Sequence, residues 1–529
     1  MGDDRTSRAP GYRWYVLGIL ILVNIFNTLD RNLISVLGPY IKKDLQIGDA
    51  ELGMLYGTTF ALFYGIFGIP IARLADGWNR VRTLALGLSV WSAMTAASGL
   101  ANGLSTLGLA RIGVGIGEAS AGPGAVALLG DYFSPSRRSM SLSLFTAGAF
   151  VGGGLAYAAG GTIVTAWTAA GSPLGIAPWQ AAFLGLGIPG ILLALLVIIT
   201  VREPPRGISE GKVYADHPRP FASVMGEAAA MFPPWNLVGL WRRGARRQFW
   251  RLLLLLAAIS AGVAGITEFT DTVLRKGRVV TIILGDWSLS TTLLQWSAIG
   301  LSAYAIVAWL WAMRDRDAQA HEMIAGSRTF LTLTVGFGLL TTVTHSVVGF
   351  AFVYGVRYFH LAPTDGVTFG VIASGMGAVG LLIGGPLGDL AHRGSAAGRL
   401  QFIIAAFVVF VAAIWVQFTT EDLTVFYLAY TVVAMFMTGW MGTLFATGQD
   451  LVAPRIRGAA HAVLVAGSSV IGLGLGPYLV GLVSDLTGDL RTGILAVLVV
   501  VPPALICLWA VARDVSASAS RPQATPAIS

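Results

Sequence analysis

Residues 107–130 read LGLARIGVGIGEASAGPGAVALLG, an apolar stretch that contains one arginine, Arg111, and one glutamate, Glu118. A helix that crosses a membrane needs about 20 mainly apolar residues, and this stretch is long enough. Residues seven apart lie two helical turns apart, so Arg111 and Glu118 share one face of the helix. The stretch therefore predicts a membrane-spanning helix with an acid and a base on the same side.

A second apolar stretch, from about Tyr15 to Leu37, contains Asp30 and Arg31. A charge in the hydrocarbon core costs at least about 2.5–3.5 kcal/mol, so charged residues within spans face the interior of a helix bundle and pair with one another. Such residues mark the pathways of substrates and protons. Two acids and two bases predict a site that is nearly neutral when empty, as in proton-coupled transport.

The composition places the whole chain in the membrane. Of its 529 residues, 55% are hydrophobic and 12% are charged, whereas soluble domains carry about 25% charged residues. The only cysteine, Cys507, lies in the last apolar stretch, which excludes disulfides and cysteine metal sites. The net charge of +8 follows the excess of Lys and Arg in cytoplasmic loops and does not indicate nucleic-acid binding.

Windows of about 20 apolar residues predict twelve spans in two sets of six, separated by an insert with two further apolar stretches. The first set lies near 13–35, 51–74, 83–103, 106–130, 139–167 and 178–201. The second lies near 329–356, 366–388, 399–418, 424–448, 459–484 and 492–512. The insert stretches are 249–270 and 288–313. The predicted domains are a bundle at 1–205, a linker at 206–327, a second bundle at 328–513 and a tail at 514–529.

Basic residues orient the first half, because those before the first span and after the second, fourth and sixth all fall on one side. That side is predicted to be cytoplasmic, with both termini on it. The Ala/Gly/Arg-rich composition suggests a bacterial inner membrane. The insert fits less well, since Arg275, Lys276 and Arg278 fall outside if both stretches cross. An interfacial or re-entrant arrangement of 249–270 therefore stays open. The first stretch ends in Leu29-Asp30-Arg31 and lacks a cleavage site, so we expect it to be retained.

Two loops occur once in each half. Residues 72–80 read ARLADGWNR and residues 385–393 read GPLGDLAHR, at an offset of 313. Residues 131–138 read DYFSPSRR and are echoed by DLVAPRIR at 450–457, at an offset of 319. Two matches at nearly the same offset predict a duplicated six-span unit, with a substrate site at the midplane between the two copies.

The first of these loops resembles the signature of the major facilitator superfamily, G-x-x-x-D-R/K-x-G-R-R/K, although Ala72 and Asn79 replace its glycines. Residues 27–33 (NTLDRNL) and 111–120 (RIGVGIGEAS) resemble the Spinster branch. So do residues 131–138 and the pattern Gly472-x-Gly-x-Gly-Pro477-x-x-x-Gly481-x-x-x-Asp485. The resemblance covers both halves but not the insert. It implies an all-α major facilitator fold, in which two six-helix bundles related by pseudo-two-fold symmetry are joined by a linker with two extra hydrophobic helices.

The Spinster resemblance also implies a proton-linked exporter of sphingolipids or lysophospholipids. The family's acid and base in span 1 map to Asp30 and Arg31, and its arginine and glutamate in span 4 map to Arg111 and Glu118. We expect Glu118 or Asp30 to carry the proton. Glu118 is preferred because it lies near the middle of span 4, while Asp30 lies nearer the outer end of span 1. The alternative is a static ion-pair network, with Glu118 satisfied by Arg111 or Arg31.

The arginines are expected to bind an acidic substrate group or to balance the carboxylates. His345 in span 7 is a further candidate for the cavity, although a lone histidine in a helix is more often a packing residue. At the cytoplasmic helix ends, Asp76 with Arg80 and Asp389 with Arg393 are candidates for charge pairs that lock the inner gate. The alternative is topogenic charge with ordinary helix capping.

Enzyme motifs are missing. The sequence has no G-x-x-x-x-G-K-[ST] loop for ATP, no H-E-x-x-H and no G-x-S-x-G, so no catalytic residue, metal or cofactor is predicted. The favoured hypothesis is a monomeric, proton-coupled exporter of a lipid-like substrate. The alternatives are a facilitator for sugars, organic anions or drugs, and a scramblase or membrane-embedded enzyme.

Overall fold

The computed structural model describes residues 10–206, 208–210, 218–277, 280–284 and 287–519. Its helices fall into a first half, an insert and a second half, as predicted. The first half contains α1 (Pro10–Leu45), α2 (Asp49–Tyr56), α3 (Thr58–Gly77), α4 (Arg80–Ser98), α5 (Leu104–Glu118), α6 (Ala121–Tyr132), α7 (Pro135–Ala169) and α8 (Pro178–Thr200).

The insert and the second half follow. The insert contains α9 (Pro220–Met231), α10 (Trp235–Arg242), α11 (Arg246–Glu268), β1 (Thr281–Leu284), β2 (Trp287–Ser290), α12 (Thr291–Arg316) and α13 (Ala318–Ile324). The second half contains α14 (Arg328–Tyr358), α15 (Gly366–Gly394), α16 (Gly398–Thr419), α17 (Leu423–Gly439), α18 (Met441–Asp450), α19 (Arg457–Gly467), α20 (Gly476–Thr487), α21 (Leu490–Ala496) and α22 (Val501–Ala519).

Thirteen helical stretches in the described part are long and apolar enough to cross a membrane. Several are broken helices, such as α2 with α3, α5 with α6, and α19 with α20. The remaining predicted span is α4, which is less apolar because Arg80 and Arg82 open it. It packs against α5 and α8 inside the first half. The fold class is therefore confirmed, apart from one small hairpin.

Each half has its own apolar core. One cluster of buried side chains is drawn almost entirely from residues 16–201, and the other mainly from residues 310–512. Separate cores are what a two-bundle architecture requires, because each bundle must bury its own helix faces. The two halves can thus move as units against each other.

We name the two ends of the molecule by residues that lie there. The Asp49 face contains the turn between α1 and α2, and the Arg80 face contains the turn between α3 and α4. The halves meet along two seams, α2 against α20 and α7 against α15. A Cβ atom on Gly481 would lie 2.0 Å from the Asp49 carbonyl oxygen, and one on Gly161 would lie 1.9 Å from that of Pro363. Glycine is required at both places because the backbones of the two halves are almost in contact.

The insert forms a pair of antiparallel helices, α11 and α12, joined at the Asp49 face by the antiparallel hairpin β1–β2, in which Thr281 pairs with Ser290. A π-helical segment, Phe269–Leu274, extends α11. Both helices are long and apolar enough to cross a membrane, which favours two crossings over a re-entrant arrangement of 249–270. The sequence did not predict the hairpin, whose four-residue strands are too short to leave a clear alternating pattern.

One helix of the insert touches both halves. The helix α12 packs against α3 and against the π-helical turn Ser468–Leu473. The Gln295 Nε2 donates to the Gly474 carbonyl at 3.0 Å. Near the Asp49 face, Arg275 and Thr291 each donate to Glu51 at 2.9 Å. Arg275 was one of the basic residues that did not fit the predicted excess of positive charge on the cytoplasmic side. Its pairing with Glu51 explains how this buried arginine is tolerated at the Asp49 face.

The far end of the insert is bound to the second half. Arg455 donates to both carboxylate oxygens of Asp317, at 2.8 and 3.1 Å, and to Gln319. This guanidinium holds the pKa of Asp317, which caps α13, below its usual range. Both side chains reach solvent, so the pair contributes little to stability.

The first testable prediction is that the insert crosses the bilayer twice. In a Cys507→Ser background, a cysteine at Lys276 and one at Arg243 should react with a membrane-impermeant maleimide from opposite sides, because these exposed residues lie at opposite ends of α11. Sealed vesicles of both orientations provide the measurement. Labelling of both cysteines from the same side would contradict the crossing.

Candidate functional site

The predicted ionisable residues meet in the interior of the first half. The Arg31 Nη2 on α1 lies 3.0 Å from the Glu118 Oε2 on α5, and the Glu118 side chain is completely buried. Glu118 is the last residue of α5, where the fourth span breaks before α6. The partner of Glu118 is thus on another helix, and the structure selects Arg31 from the two arginines that the sequence left open.

Asp30 and Arg111 form the second part of this cluster. The Asp30 carboxylate accepts a hydrogen bond from Thr95 Oγ1 on α4 at 3.1 Å. The Arg111 Nη1 donates to the Asp30 backbone carbonyl at 3.4 Å. Asp30 and Arg111 are as deeply buried as Glu118. Asp30 is not near a helix end, because α1 continues to Leu45, ten residues beyond the predicted boundary. Burial therefore does not distinguish Asp30 from Glu118, and the choice between them stays a prediction.

Arg31 is the member of the cluster that reaches open space. Its side chain is 28% exposed, while that of Glu118 is 0% exposed. The guanidinium carbon lies 4.8 Å from the ring centre of Phe60 and 4.9 Å from that of Tyr64. Aromatic faces stabilise a cation and orient its planar fork. The arrangement presents one guanidinium edge to a carboxylate within the protein and leaves part of the Arg31 side chain accessible.

The structure does not join His345 to this cluster. Its Nδ1 lies 2.8 Å from the carbonyl oxygen of Thr341, one turn earlier in α14. One ring nitrogen is therefore satisfied within its own helix, as in a packing residue. Among the described residues, no group of three or more His, Cys, Asp or Glu side chains is placed to hold a metal ion.

At the Arg80 face, the predicted gate residue Arg80 has its partners within its own half. Arg80 lies 2.5 Å from Asp131 and 2.6 Å from Glu203, and its Nη2 donates to the Pro204 carbonyl. The side chain is almost fully buried. Asp76 lies in α3, and its side chain is outside the described part of the structure. Arg80 thus anchors α4 to α6 and to the chain after α8.

The second half repeats this arrangement with a different arginine. Arg399, not Arg393, pairs with Asp389 at 2.7 Å and with Asp450 at 2.5 Å. Arg80 and Asp131 are 51 residues apart, as are Arg399 and Asp450. The predicted pairing of Asp389 with Arg393 is therefore wrong. Six extra residues in the second loop move the equivalent arginine to position 399, and Arg393 is exposed.

The halves are linked by charge at the opposite end, around Asp49. Asp49 accepts hydrogen bonds from Arg357 at 2.8 and 2.9 Å, from Lys42 at 2.5 Å and from Ser484 at 2.6 Å. Arg357 and Ser484 belong to the second half. The Asp49 carboxylate is 2% exposed. The buried carboxylate of Asp49 therefore joins the halves through a dense network whose cations, Arg357 and Lys42, reach solvent.

Asp485 strengthens this closure by capping a helix of the other half. Its carboxylate accepts the backbone N–H groups of Asp49 at 2.8 Å and of Ala50 at 2.9 Å, at the start of α2. A carboxylate at a helix N-terminus satisfies free donors and opposes the helix dipole. The sequence analysis did not assign these residues a role. A signal was available, because Gly481 and Asp485 belong to the motif quoted above.

Comparisons with known proteins agree with this architecture. The family model of the Major Facilitator Superfamily matches residues 20–343. An MFS-type efflux pump of Mycolicibacterium smegmatis is 26% identical over 514 residues, which cover 96% of this chain and 94% of that protein. The human Protein spinster homolog 1 is 33% identical over 211 residues, 39% of this chain and 37% of its own length. The chain is thus matched to little more than a third of that relative.

A solved structure gives the same fold. The crystal structure of a bacterial homolog of the human lysosomal transporter Spinster, in an inward-facing and unoccupied conformation, has a TM-score of 0.67 and 23% sequence identity. The match covers 96% of this chain and 98% of that one. The resemblance to Spinster proteins inferred from the sequence motifs is confirmed.

The second testable prediction concerns the closure of the Asp49 face. Asp485→Ala removes a charged acceptor from two N–H groups of α2, and hydrogen bonds to a charged group contribute about 1.5–3 kcal/mol. We expect labelling of a cysteine at Ser35, which is buried behind the closure, to rise about tenfold or more from that side. The Cys507→Ser background removes the native thiol.

Asp489→Ala is the matched control. Asp489 also caps a helix at this face, but its partners Thr492 and Tyr358 belong to its own half. Burial raises the pKa of Asp489, and hydrogen bonds from Thr492 and Tyr358 outweigh it, so that the pKa is about 2. Equal labelling in the two variants would mean that Asp485 does not hold the halves together.

Proposed function

Because the chain belongs to the major facilitator superfamily, we propose that it is a proton-coupled secondary transporter that exports a lipid-like amphiphile by alternating access. The observation that supports this most is the ion pair between Arg31 and Glu118. It links a buried carboxylate, suited to carry a proton, with a guanidinium that is partly open to a ligand. One contact thereby couples proton binding to substrate binding.

The chemistry of this pair favours a zwitterionic substrate. A phosphate that binds Arg31 takes the guanidinium away from Glu118 and leaves a buried carboxylate without its partner. If the substrate also carries an ammonium group, that group can pair with Glu118 in the place of a proton. Substrate and proton then compete, which is the requirement for exchange. Sphingosine-1-phosphate and lysophosphatidylethanolamine both combine a phosphate with an amine and an apolar chain.

A simple anion gives the opposite coupling. A sugar acid or another organic anion on Arg31 provides nothing for Glu118, which then takes up a proton to avoid a buried, unpaired charge. Proton and substrate would move together. The partly exposed guanidinium also suits such an anion, so a facilitator for organic anions is the second candidate. The sign of proton movement during substrate flux separates the two.

The proposed orientation places the Arg80 face in the cytoplasm of a bacterium, with both termini on that side. Arginines concentrate at this face, as the positive-inside rule requires. The closed Asp49 face is then the outer side of the membrane. In this orientation Asp49, Arg357 and Asp485 form the outer gate. The clusters of Arg80 and Arg399 brace each half at the inner side, where we propose that a second gate forms with Asp76 and Asp389.

The third prediction tests proton coupling. Glu118→Gln keeps the size of the side chain but removes the titrating group, so the stimulation of substrate flux by an imposed pH gradient should be lost. Flux of lysophosphatidylethanolamine is measured in proteoliposomes with and without the gradient. A pH-sensitive dye inside the vesicles reports the direction of proton movement.

Asp30→Asn provides the comparison, since Asp30 is equally buried but accepts from Thr95 and makes no ion pair with Arg31. If Glu118 carries the proton, Asp30→Asn retains some gradient dependence. Full gradient dependence in Glu118→Gln would contradict the assignment, and loss in Asp30→Asn alone would transfer the role to Asp30.

The fourth prediction concerns Arg31 as the residue that binds the substrate anion. Arg31→Gln removes a charged hydrogen-bond donor worth about 1.5–3 kcal/mol, so substrate affinity should fall about 10- to 100-fold. A monoacylglycerol that lacks the phosphate should lose far less. The exposed Lys43 is the control, because Lys43→Gln removes the same charge outside the cluster. Unchanged affinity for the phosphate-bearing amphiphile in Arg31→Gln would refute the role.

A further inference from the structure

A cavity lies inside the insert, at the Arg80 face and away from the cluster of Asp30, Arg31, Arg111 and Glu118. Its volume is about 430 Å³, and its walls come from α9, α10, α11, α12 and His321 of α13. Gln248 at the start of α11 lies 3.3 Å from Asp315 at the end of α12 and closes one side. The cavity is as large as sites that hold small ligands.

The lining of this cavity is strongly basic. It includes Arg243, Arg251, Arg314 and Arg316, against the single acid Asp315. Arg316 is neutralised by Glu227 at 2.7 Å. The other three arginines have no carboxylate within ion-pair distance among the residues that the structure describes. Several uncompensated guanidinium groups around one cavity are suited to a phosphate group, which they can bind with paired N–H donors.

The surroundings of the cavity are those of a membrane interface. The helix α11, all of which the structure describes, buries only Leu252. Directly after Arg251 it becomes a continuous apolar run, in which Leu254 is 67% exposed. Trp235 and Trp311 line the cavity and are themselves exposed. Tryptophans beside arginines at the end of an apolar helix mark the level of lipid headgroups.

The short helices α9 and α10 fit the same placement. Their exposed large apolar side chains are Phe221, Met225, Trp235, Val238 and Trp241. Their buried residues Met231 and Leu240 pack against the insert and α3. A helix with apolar side chains on its outer surface and basic residues beside them lies in the membrane surface. The cavity is therefore next to the headgroups of one leaflet.

We propose that this cavity binds the phosphate headgroup of an anionic phospholipid from the leaflet at the Arg80 face. The three unneutralised arginines hold the phosphate. The acyl chains leave past Trp235 and Trp311 and lie along the exposed surface of α11. A free phosphate would use the arginines but not the tryptophans and the apolar wall beyond them. Basic pockets between membrane helices recognise lipid headgroups in this way.

The consequence is that the insert is tied to the membrane surface. Its far end, at Arg275, contacts Glu51 of the Asp49 face, while the lipid fixes the end at the Arg80 face. The site differs from the proposed transport site, which lies between α1 and α5, so that its occupant stays bound while substrate passes. Lipid binding here does not depend on the proposed substrate.

The test is titration of the delipidated full chain with dioleoylphosphatidylglycerol or dioleoylphosphatidylcholine, followed by native mass spectrometry. We expect each arginine that binds the phosphate in the cavity to contribute a factor of about five in affinity, the size of the effect of one basic residue on an anionic lipid. The double variant Arg251→Gln/Arg314→Gln should therefore bind phosphatidylglycerol roughly thirtyfold more weakly. Arg242→Gln/Arg247→Gln is the matched control, because both arginines belong to the same insert but do not line the cavity. It should bind like the unaltered protein.

Three results would overturn the proposal: equal binding of phosphatidylcholine, equal weakening by the control variant, or displacement of the lipid by millimolar glycerol phosphate, which would indicate a site for soluble anions. Both variants replace exposed side chains, and thermal unfolding checks that they are folded. A second readout leaves the arginines unchanged. Brominated phosphatidylglycerol should quench the fluorescence of the unaltered protein more than that of Trp235→Phe/Trp311→Phe, and equal quenching would also refute the site.

Discussion

A charge that leaves water for a membrane interior must find a partner, and the main features of this structure follow from that requirement. Arg31 and Glu118 satisfy it across two helices of the first half. Asp49 and Arg357 satisfy it between the halves, and Arg275 and Glu51 satisfy it between the insert and the first half. The same constraint thus produces the proposed transport site, the closure of one face and the attachment of the insert.

The sequence predicted what depends on local composition and repetition. The length of the apolar stretches predicted the spans, and two repeated loops predicted the two halves. Both signals depend only on the order of residues in the chain. Contacts between helices were harder to predict from the sequence. The spacing of Arg111 and Glu118 correctly placed them on one helix, yet Glu118 pairs with Arg31, since the three-dimensional arrangement of α1 and α5 decides the partner. The end of α1 was also predicted too early, because the helix continues to Leu45 with polar residues in its last turns.

The repeat shows that equivalent residues in the two halves are identified by their contacts and not by sequence alignment alone. A short gap-free comparison aligned Arg80 with Arg393. Yet the equal 51-residue separation of Arg80 from Asp131 and of Arg399 from Asp450 identifies Arg399 as the equivalent residue. Both pairs brace the ends of two neighbouring spans within a half. Among the described residues, the buried acid and base cluster has no such counterpart in the interior of the second half, where His345 binds the Thr341 carbonyl through one ring nitrogen. The halves are alike as scaffolds and unlike in chemistry.

The insert adds a connection that a two-bundle transporter does not need for its fold. At the Asp49 face it is held to the first half by the buried pair Arg275–Glu51, whose loss of one partner costs about 3–5 kcal/mol. To the second half it is held there by uncharged contacts, among them the bond from Gln295 to Gly474 and the edge contact of Trp296 with Tyr478. Opening of this face separates α2 from α20, so one set of contacts must break. The uncharged set is the weaker, and this end of the insert therefore stays with the first half. At the Arg80 face it is joined to the second half by Asp317 and Arg455, an exposed pair worth at most about 1 kcal/mol. It is also joined there by Met313, Ala320 and Ile324, which belong to the apolar core of that half. The insert is thus held to the second half at the Arg80 face and mainly to the first half at the Asp49 face. Opening of the Asp49 face is then expected to pivot about the end of the insert at the Arg80 face, where these apolar contacts stay buried.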